Sequence, residues 1–476
     1  MGSGALGPLS LCKIDMTTQT IQSSLDVSVR RRVLTLALPA VGEQLLNTAV
    51  GLTDVYLVGN LSRQAVATLG YGSAVAQASV GLGNQMVWLV TVLFIAFAIG
   101  STALIARAGG AQDREEMQRV LQQSMLVALI IGLLTMLFVL GMAHPFLLLL
   151  DAPDPVLPHS LHYLQIIAPS LIPAALLFVG NACLRGVGDT RTPLYVMLGA
   201  NGVNIFVSWL LVNGNLGLPT LGVGGAALGT AIGRGGGGLV VAALLLRGRS
   251  GLRLTFDLRM HTPMIRRILQ IGLPSAGEML IFHGALLIFT RLVNSLGTVA
   301  YAAHSITISI ESLSFLPGMG YAAAAATLVG HGLGARSPRS AGDCAYESLW
   351  QGGLMMTLAG GAMVFFPAQL LALFNNDPAV VAAGVAPLRA AGLVQPALAA
   401  SFILSGGLRG AGDTRWPLYV RLISSWGIRL PLALLLVGLL DYGLQGIWLA
   451  MCVDFTVQGL LSLWRFGSNR WQTVKV

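Results

Sequence analysis

The sequence predicts an all-α polytopic membrane protein with twelve transmembrane helices in two pseudo-symmetric six-helix lobes, and three observations carry that prediction. Of 476 residues, 55% are hydrophobic and 10% charged, with a mean hydropathy of +0.75. Soluble domains carry about 25% charged residues. Apolar stretches of the about 20 residues needed to cross the hydrocarbon recur along the whole chain, and their unbroken length excludes the alternating strands of a barrel. Two sequence blocks occur twice, six spans apart.

Taken in order, the spans are expected near 33–58, 72–106, 120–143, 160–184, 192–213 and 223–246, then 268–293, 300–330, 344–366, 380–408, 417–438 and 446–465. Residues 1–29 read as a disordered tail, 30–246 as the N-lobe, 247–267 as a cytoplasmic linker, 268–465 as the C-lobe and 466–476 as a cytoplasmic tail. The first residues lack the charged-then-apolar order of a signal peptide, and Met16 is a second candidate start. Arg30, Arg31 and Arg32 imitate a twin-arginine signal, but no small-residue cleavage site follows them, so they read as a basic flank.

The formal charge of +9 and pI near 9.8 do not indicate nucleic acid, because the basic residues form short clusters between spans. With a cytoplasmic amino terminus, Arg107, Arg114, Arg119, Arg185, Arg191, Arg336, Arg339, Arg409, Arg415, Arg465 and the 247–267 linker fall on one side, and Arg63 falls on the other. That distribution predicts a bacterial-type inner membrane with both termini cytoplasmic. Cys12, Cys183, Cys344 and Cys452 are too scattered for a disulfide framework or a zinc site.

Leu38-Pro39-Ala40-Val41-Gly42-Glu43 recurs as Leu273-Pro274-Ser275-Ala276-Gly277-Glu278, and Arg185-Gly186-Val187-Gly188-Asp189-Thr190-Arg191 as Arg409-Gly410-Ala411-Gly412-Asp413-Thr414-Arg415. Paired repeats in membrane proteins commonly place a substrate between the halves near mid-membrane and rock one half against the other, which points to transport; a static duplicated protein is the alternative. The duplicated loops themselves have a structural explanation as tight turns, with glycines ending one helix, Asp or Thr capping the next and Pro193 or Pro417 in its first turn.

Ionisable side chains inside spans are costly and mark candidate sites. Asp54 lies deep in the first span, while the residue in its repeat register is Phe289, so one half holds a carboxylate that the other lacks. A desolvated carboxylate beside polar ligands suits a cation or a proton. Asn181, Asn201, Asn204, Ser208 and Thr230 are the available neighbours on spans four to six. Glu43 and Glu278 are twins, either paired with loop arginines or lining the cytoplasmic mouth, and His283 and Glu311 are substrate or gating candidates in the second half. Arg234, Arg421, Arg429 and Asp454 are expected to snorkel or to pair. Gly233 to Gly238 satisfies G-x-G-x-x-G inside a span, which reads as close helix packing. Asp151, Asp154, His159 and His162 read as a solvated loop, not a metal site.

The run from Pro39 to Gly59 with Asp54 inside it, Ala302-Ala303-His304-Ser305-Ile306 and the duplicated R-G-x-G-D-T-R loops together resemble the multidrug and toxic compound extrusion (MATE) transporters over about residues 30 to 465. The resemblance is nearest to the DinF-like branch, with Phe282 and His283 where the other bacterial branch has a seventh-helix acid. It implies a V-shaped fold of twelve helices and export of amphipathic, often cationic compounds by proton or sodium antiport. It also implies an N-lobe cation site of Asp54, Asn204, position 208 and Thr230. Ser208 departs from the second carboxylate of that pattern, which weakens a sodium site and favours a proton. The expected partners are small organic substrates and the bilayer, with no nucleic acid, no cofactor beyond the coupling ion and a monomeric chain. The alternative is a lipid-linked precursor flippase of the same superfamily. A membrane enzyme would need a catalytic cluster such as H-E-x-x-H, which the sequence lacks.

Overall fold

The structure is a computed structural model that describes residues 12–255 and 259–474, with side chains from residue 28 onward. Twelve long helices run in chain order: α1 Cys12–Gly59, α2 Ser73–Gly110, α3 Arg114–Leu149, α4 Leu157–Gly186, α5 Arg191–Val212 and α6 Val223–Arg247 form the first half. The second half holds α7 Thr262–Asn294, α8 Thr298–Gly334, α9 Pro338–Phe365, α10 Pro378–Gly410, α11 Arg415–Gly438 and α12 Gly443–Gly467. Eleven of them are long and apolar enough by themselves to cross a membrane. The remaining one, α9, carries Arg339, Asp343 and Glu347 in its first turns, and the stretch after them is diluted by Ser348, Gln351 and glycines; at 28 residues it still reaches about 42 Å.

One expectation is corrected. Residues 12–29 were expected to be part of a disordered tail, yet α1 is already helical from Cys12. No glycine or proline stands between Lys13 and Arg32 to stop the helix from extending outward. Residues 1–11, the rest of that tail, lie outside the described residues. At the other end, Trp471 folds back into the bundle, stacks on Phe466 and donates its indole N–H to the Phe466 carbonyl at 2.9 Å.

The linker after α6 is pinned along the start of α3 by a row of glutamines. Gln118 donates to the Gly251 carbonyl and accepts from the Arg253 N–H, Gln122 accepts from Thr255, and Gln123 accepts from the His261 N–H at 2.8 Å. Asp189, in the loop between α4 and α5, holds the other edge of the linker. Burial works to raise its carboxyl, but hydrogen bonds from Ser250 and from the Thr192 N–H and hydroxyl, with Arg249 beside it, outweigh burial and hold it below the usual carboxylate range.

The halves exchange helices at the end of the bundle that carries the basic loops. Val33, Ala37 and Val41 of α1 join the apolar core of the second half, while Met264, Ile268 and Ile271 of α7 join that of the first. Glycines make these crossings possible: a side chain on Gly272 of α7 would strike the Ala96 backbone of α2, and one on Gly320 of α8 would strike Val41 of α1. At the tips of α2 and α8, Gly110 lies against the His331 backbone and Gly334 against that of Arg107. Thr327 donates to the Arg185 carbonyl at 3.0 Å, and His331 Nε2 lies 2.8 Å from the Gly186 carbonyl, so polar contacts complete the seam. The outer faces carry exposed Leu134, Leu137 and Leu140, as expected of helices that meet lipid.

Candidate functional site

The local sequence positions a polar cluster between α1, α5 and α6. Glu43, Asn47 and Asp54 fall at i, i+4 and i+11 and so share one face of α1, turned toward the lobe interior. Asn204 and Ser208 are one turn apart on α5. Thr230 comes close because α6 is glycine-rich: a Cβ on Gly229 would overlap Ser208, and one on Gly233 would overlap Ala200 and Asn204. The G-x-G-x-x-G run thus serves close packing, with Gly238 against the Pro173 backbone of α4.

Asp54 is 8% exposed, and both carboxylate oxygens are engaged. Thr230 donates its hydroxyl to Oδ2 at 3.1 Å and Ser208 to Oδ1 at 3.4 Å. The same Ser208 hydroxyl lies 3.1 Å from Asn204 Oδ1, so its one proton is offered to either acceptor, and the Asn204 amide donates to Thr230 at 3.4 Å, which closes the ring. The charge of Arg234, one turn beyond Thr230, acts on Asp54. Beside the cluster the fully buried Tyr163 donates to Asn84 Oδ1 at 2.9 Å. Burial favours the neutral carboxyl while hydroxyl donors and Arg234 favour the charged one, so the protonation state depends on whether those donors stay in place.

Asn181 takes a different place from the one expected. It is buried, its Oδ1 accepts no hydrogen bond, and it lines a pocket deeper in the lobe with Glu43, Asn47, Arg185 and Arg234. The pocket lies between Asp54 and the basic end, a rise of about 16 Å along α1 from Glu43 to Asp54. Asn201 is likewise buried with its amide nitrogen unpartnered.

The twin glutamates pair with loop arginines. Glu43 takes the Arg185 guanidinium through both oxygens at 2.8 and 3.1 Å, and Glu278 takes Arg409 at 3.0 and 3.1 Å. The symmetry breaks at one point: Arg421 also approaches Glu278 at 3.8 Å, whereas among the described residues Glu43 pairs with Arg185 alone. Removing Glu278 strands two arginines where removing Glu43 strands one. Glu278→Ala should therefore destabilise the protein in detergent more than Glu43→Ala, by about 1 to 2 kcal/mol in parallel thermal melts; equal losses would assign Arg421 no share in the pair.

His283 packs against Trp88 across the two halves, ring centroids 3.5 Å apart and planes tilted by 31°, with its Nδ1 3.0 Å from the Met279 carbonyl. Neither Trp88 nor the tyrosine beside Asp54 was legible as a site residue, because an aromatic in a span reads first as packing. Glu311 lies elsewhere, in the core of the second half near Arg429 and Asp454, which themselves pair at 3.7 Å. No group of three or more His, Cys, Asp or Glu side chains among the described residues has the geometry of a metal site.

Comparison with known proteins agrees with this architecture. The MatE family profile matches residues 39–210 and 274–435, one stretch in each half. A probable multidrug resistance protein NorM of Thermotoga maritima is 32% identical over 455 residues, covering 93% of each chain. The uncharacterized transporter YisQ of Bacillus subtilis is 30% identical, covering 83% of this chain and 87% of its own. Among solved structures, one described as MATE in the straight conformation superposes with a TM-score of 0.84 at 20% identity, covering 93% of this chain and 97% of that one. A MOP superfamily transporter from Pyrococcus furiosus superposes at 0.83 with 21% identity over 93% and 97%, so these structures share the fold. With a family match in both halves, a relative aligned along nearly its whole length and the same twelve-helix fold, this chain belongs to the MATE family of multidrug efflux transporters, multi-pass proteins of the membrane.

Proposed function

We propose that this protein exports amphipathic, often cationic organic compounds in exchange for protons, and that Asp54 is the coupling group. The observation that carries the reading is the ring of Asp54, Ser208, Asn204 and Thr230, drawn from three helices and enclosed within one lobe. An ionised Asp54 holds α1 against α5 and α6 through its two hydroxyl donors. A protonated Asp54 holds them less strongly, so gaining a proton shifts the packing of α1, and α1 also reaches into the opposite lobe through Val33, Ala37 and Val41. That shared helix links the site to the seam between the lobes.

The ring contains one carboxylate, and a hydroxyl at Ser208 supplies no second charge. A sodium ion is held less strongly by one negative charge among neutral oxygens than by two, whereas a proton needs only the carboxyl itself. The coupling ion is accordingly a proton. The clustering of arginines at one end of the bundle supports a cytoplasmic side there, with both termini within it.

The test is transport of ethidium in proteoliposomes with pH and sodium gradients imposed separately. A pH gradient alone should drive ethidium against its concentration gradient, and a sodium gradient alone should not; drive by sodium only would overturn the assignment of the ion.

A further inference from the structure

The core of the C-lobe holds three charges that do not cancel. Arg429 and Asp454, 3% and 0% exposed, pair at 3.7 Å, and Gln458 donates to Asp454 Oδ1 at 2.7 Å. Glu311 on α8 is 1% exposed, its Oε1 accepts no hydrogen bond, and the charge of Arg429 acts on it. One guanidinium therefore serves two buried carboxyl groups, and an unpaired ionised carboxylate in such a place would cost several kcal/mol. With the cation held by Asp454, charge balance puts a proton on Glu311, and the ion pair and amide bond keep the charge on Asp454.

Arg429 is also placed to change allegiance. Its guanidinium lies 4.0 Å from the centre of the Phe289 ring, the residue in Asp54's repeat register. It ends the seven-residue π-helical stretch Ile423–Arg429 of α11, where Ser424 and Ser425 keep buried hydroxyls without partners. Such stretches mark helices whose register is locally unsettled and occur often at functional sites. Asp454 Oδ2 and Arg429 Nε are likewise without hydrogen bonds, so the pair is not locked by geometry. The other ionisable groups acting here are Cys452 on α12, which faces the charge of Glu311, Arg421, which acts on Arg429, and His304, two turns back on α8.

We propose that Glu311 is a second proton-binding site of the transporter, exchanging its proton as Arg429 moves between Asp454 and Glu311. In the state seen here Arg429 belongs to Asp454 and Glu311 is a neutral acid. When α11 shifts and brings the guanidinium between Glu311 and Asp454, the O–H bond breaks, the proton passes to water and the two carboxylates share the cation, with the Gln458 amide still held on Asp454. This deepens the proton-coupled reading above and adds to the N-lobe site a carboxyl in the opposite lobe.

Infrared difference spectroscopy of the purified protein between acid and alkaline pH tests it without any transported ligand. The parent chain should show two protonated-carboxyl C=O bands that disappear on alkalinisation. Glu311→Gln should remove one and leave the other, and Asp54→Asn should do the reverse. Asp454→Asn, which keeps the Glu311 carboxyl but makes it the counterion of Arg429, should also remove the Glu311 band, and this covers the case in which Glu311→Gln does not fold. A spectrum unchanged by both C-lobe variants, or a Glu311 band that never titrates, overturns the proposal. Loss of no band in Asp54→Asn would instead count against the N-lobe coupling site and leave Glu311 standing.

Discussion

Asp54→Asn is expected to abolish gradient-driven efflux while leaving the protein folded and inserted. Asparagine has the shape of the protonated acid, and its Oδ1 can accept from Ser208 or Thr230 in place of a carboxylate oxygen. The packing among α1, α5 and α6 should survive. What disappears is the change of charge, and with it the only means by which a proton at this position can bias one arrangement of α1 over another. Coupling between two sites is commonly worth about 1 to 3 kcal/mol, roughly a 5- to 150-fold change in affinity, and the variant loses all of that change. The measurement is ethidium accumulation in proteoliposomes at fixed protein content, with the thermal midpoint in detergent as the control. Parental accumulation at a parental midpoint would remove Asp54 from the mechanism.

Much of this was readable in the residues because lipid imposes strict rules. A span must be long, apolar and self-satisfied in hydrogen bonds, so runs such as 223–246 and 380–408 declare themselves, and the structure extends them by only a residue or two, to Val223–Arg247 and Pro378–Gly410. The same rule made Asp54 conspicuous. Its neighbours Asn204, Ser208 and Thr230 followed from spacing and resemblance, and they do meet around it. Asn181 did not, because its place near the end of α4 fixes its face but not its depth relative to α1. The partners of Arg421 and Arg429 were illegible for a related reason: pairing depends on the rotation of distant helices, and the π-helical stretch turns Arg429 in a way no heptad or 3.6-residue count anticipates. The outward extension of α1 was missed because polarity suggested a tail, although nothing in that stretch breaks a helix.

The second large effect is expected in the C-lobe core. In the double variant Asp454→Asn/Glu311→Gln, Arg429 keeps its charge at 3% exposure and loses both carboxyl groups, leaving the Phe289 ring as its nearest compensation. Stranding a buried charge costs about 3 to 5 kcal/mol, because desolvation is no longer offset by attraction. For a lobe of this size that is a fall in thermal midpoint of roughly 10 °C, readable by tryptophan fluorescence in detergent. Asp454→Asn alone should cost clearly less, since Glu311 can give up its proton and take over as counterion, and the two changes should therefore be non-additive. Adding Arg429→Met to the double variant should restore most of the loss, because a well-packed apolar residue needs no partner. An additive pair of single effects would show that Glu311 never serves Arg429, and an unrescued triple variant would show that packing at Arg429, not its charge, holds the three helices together.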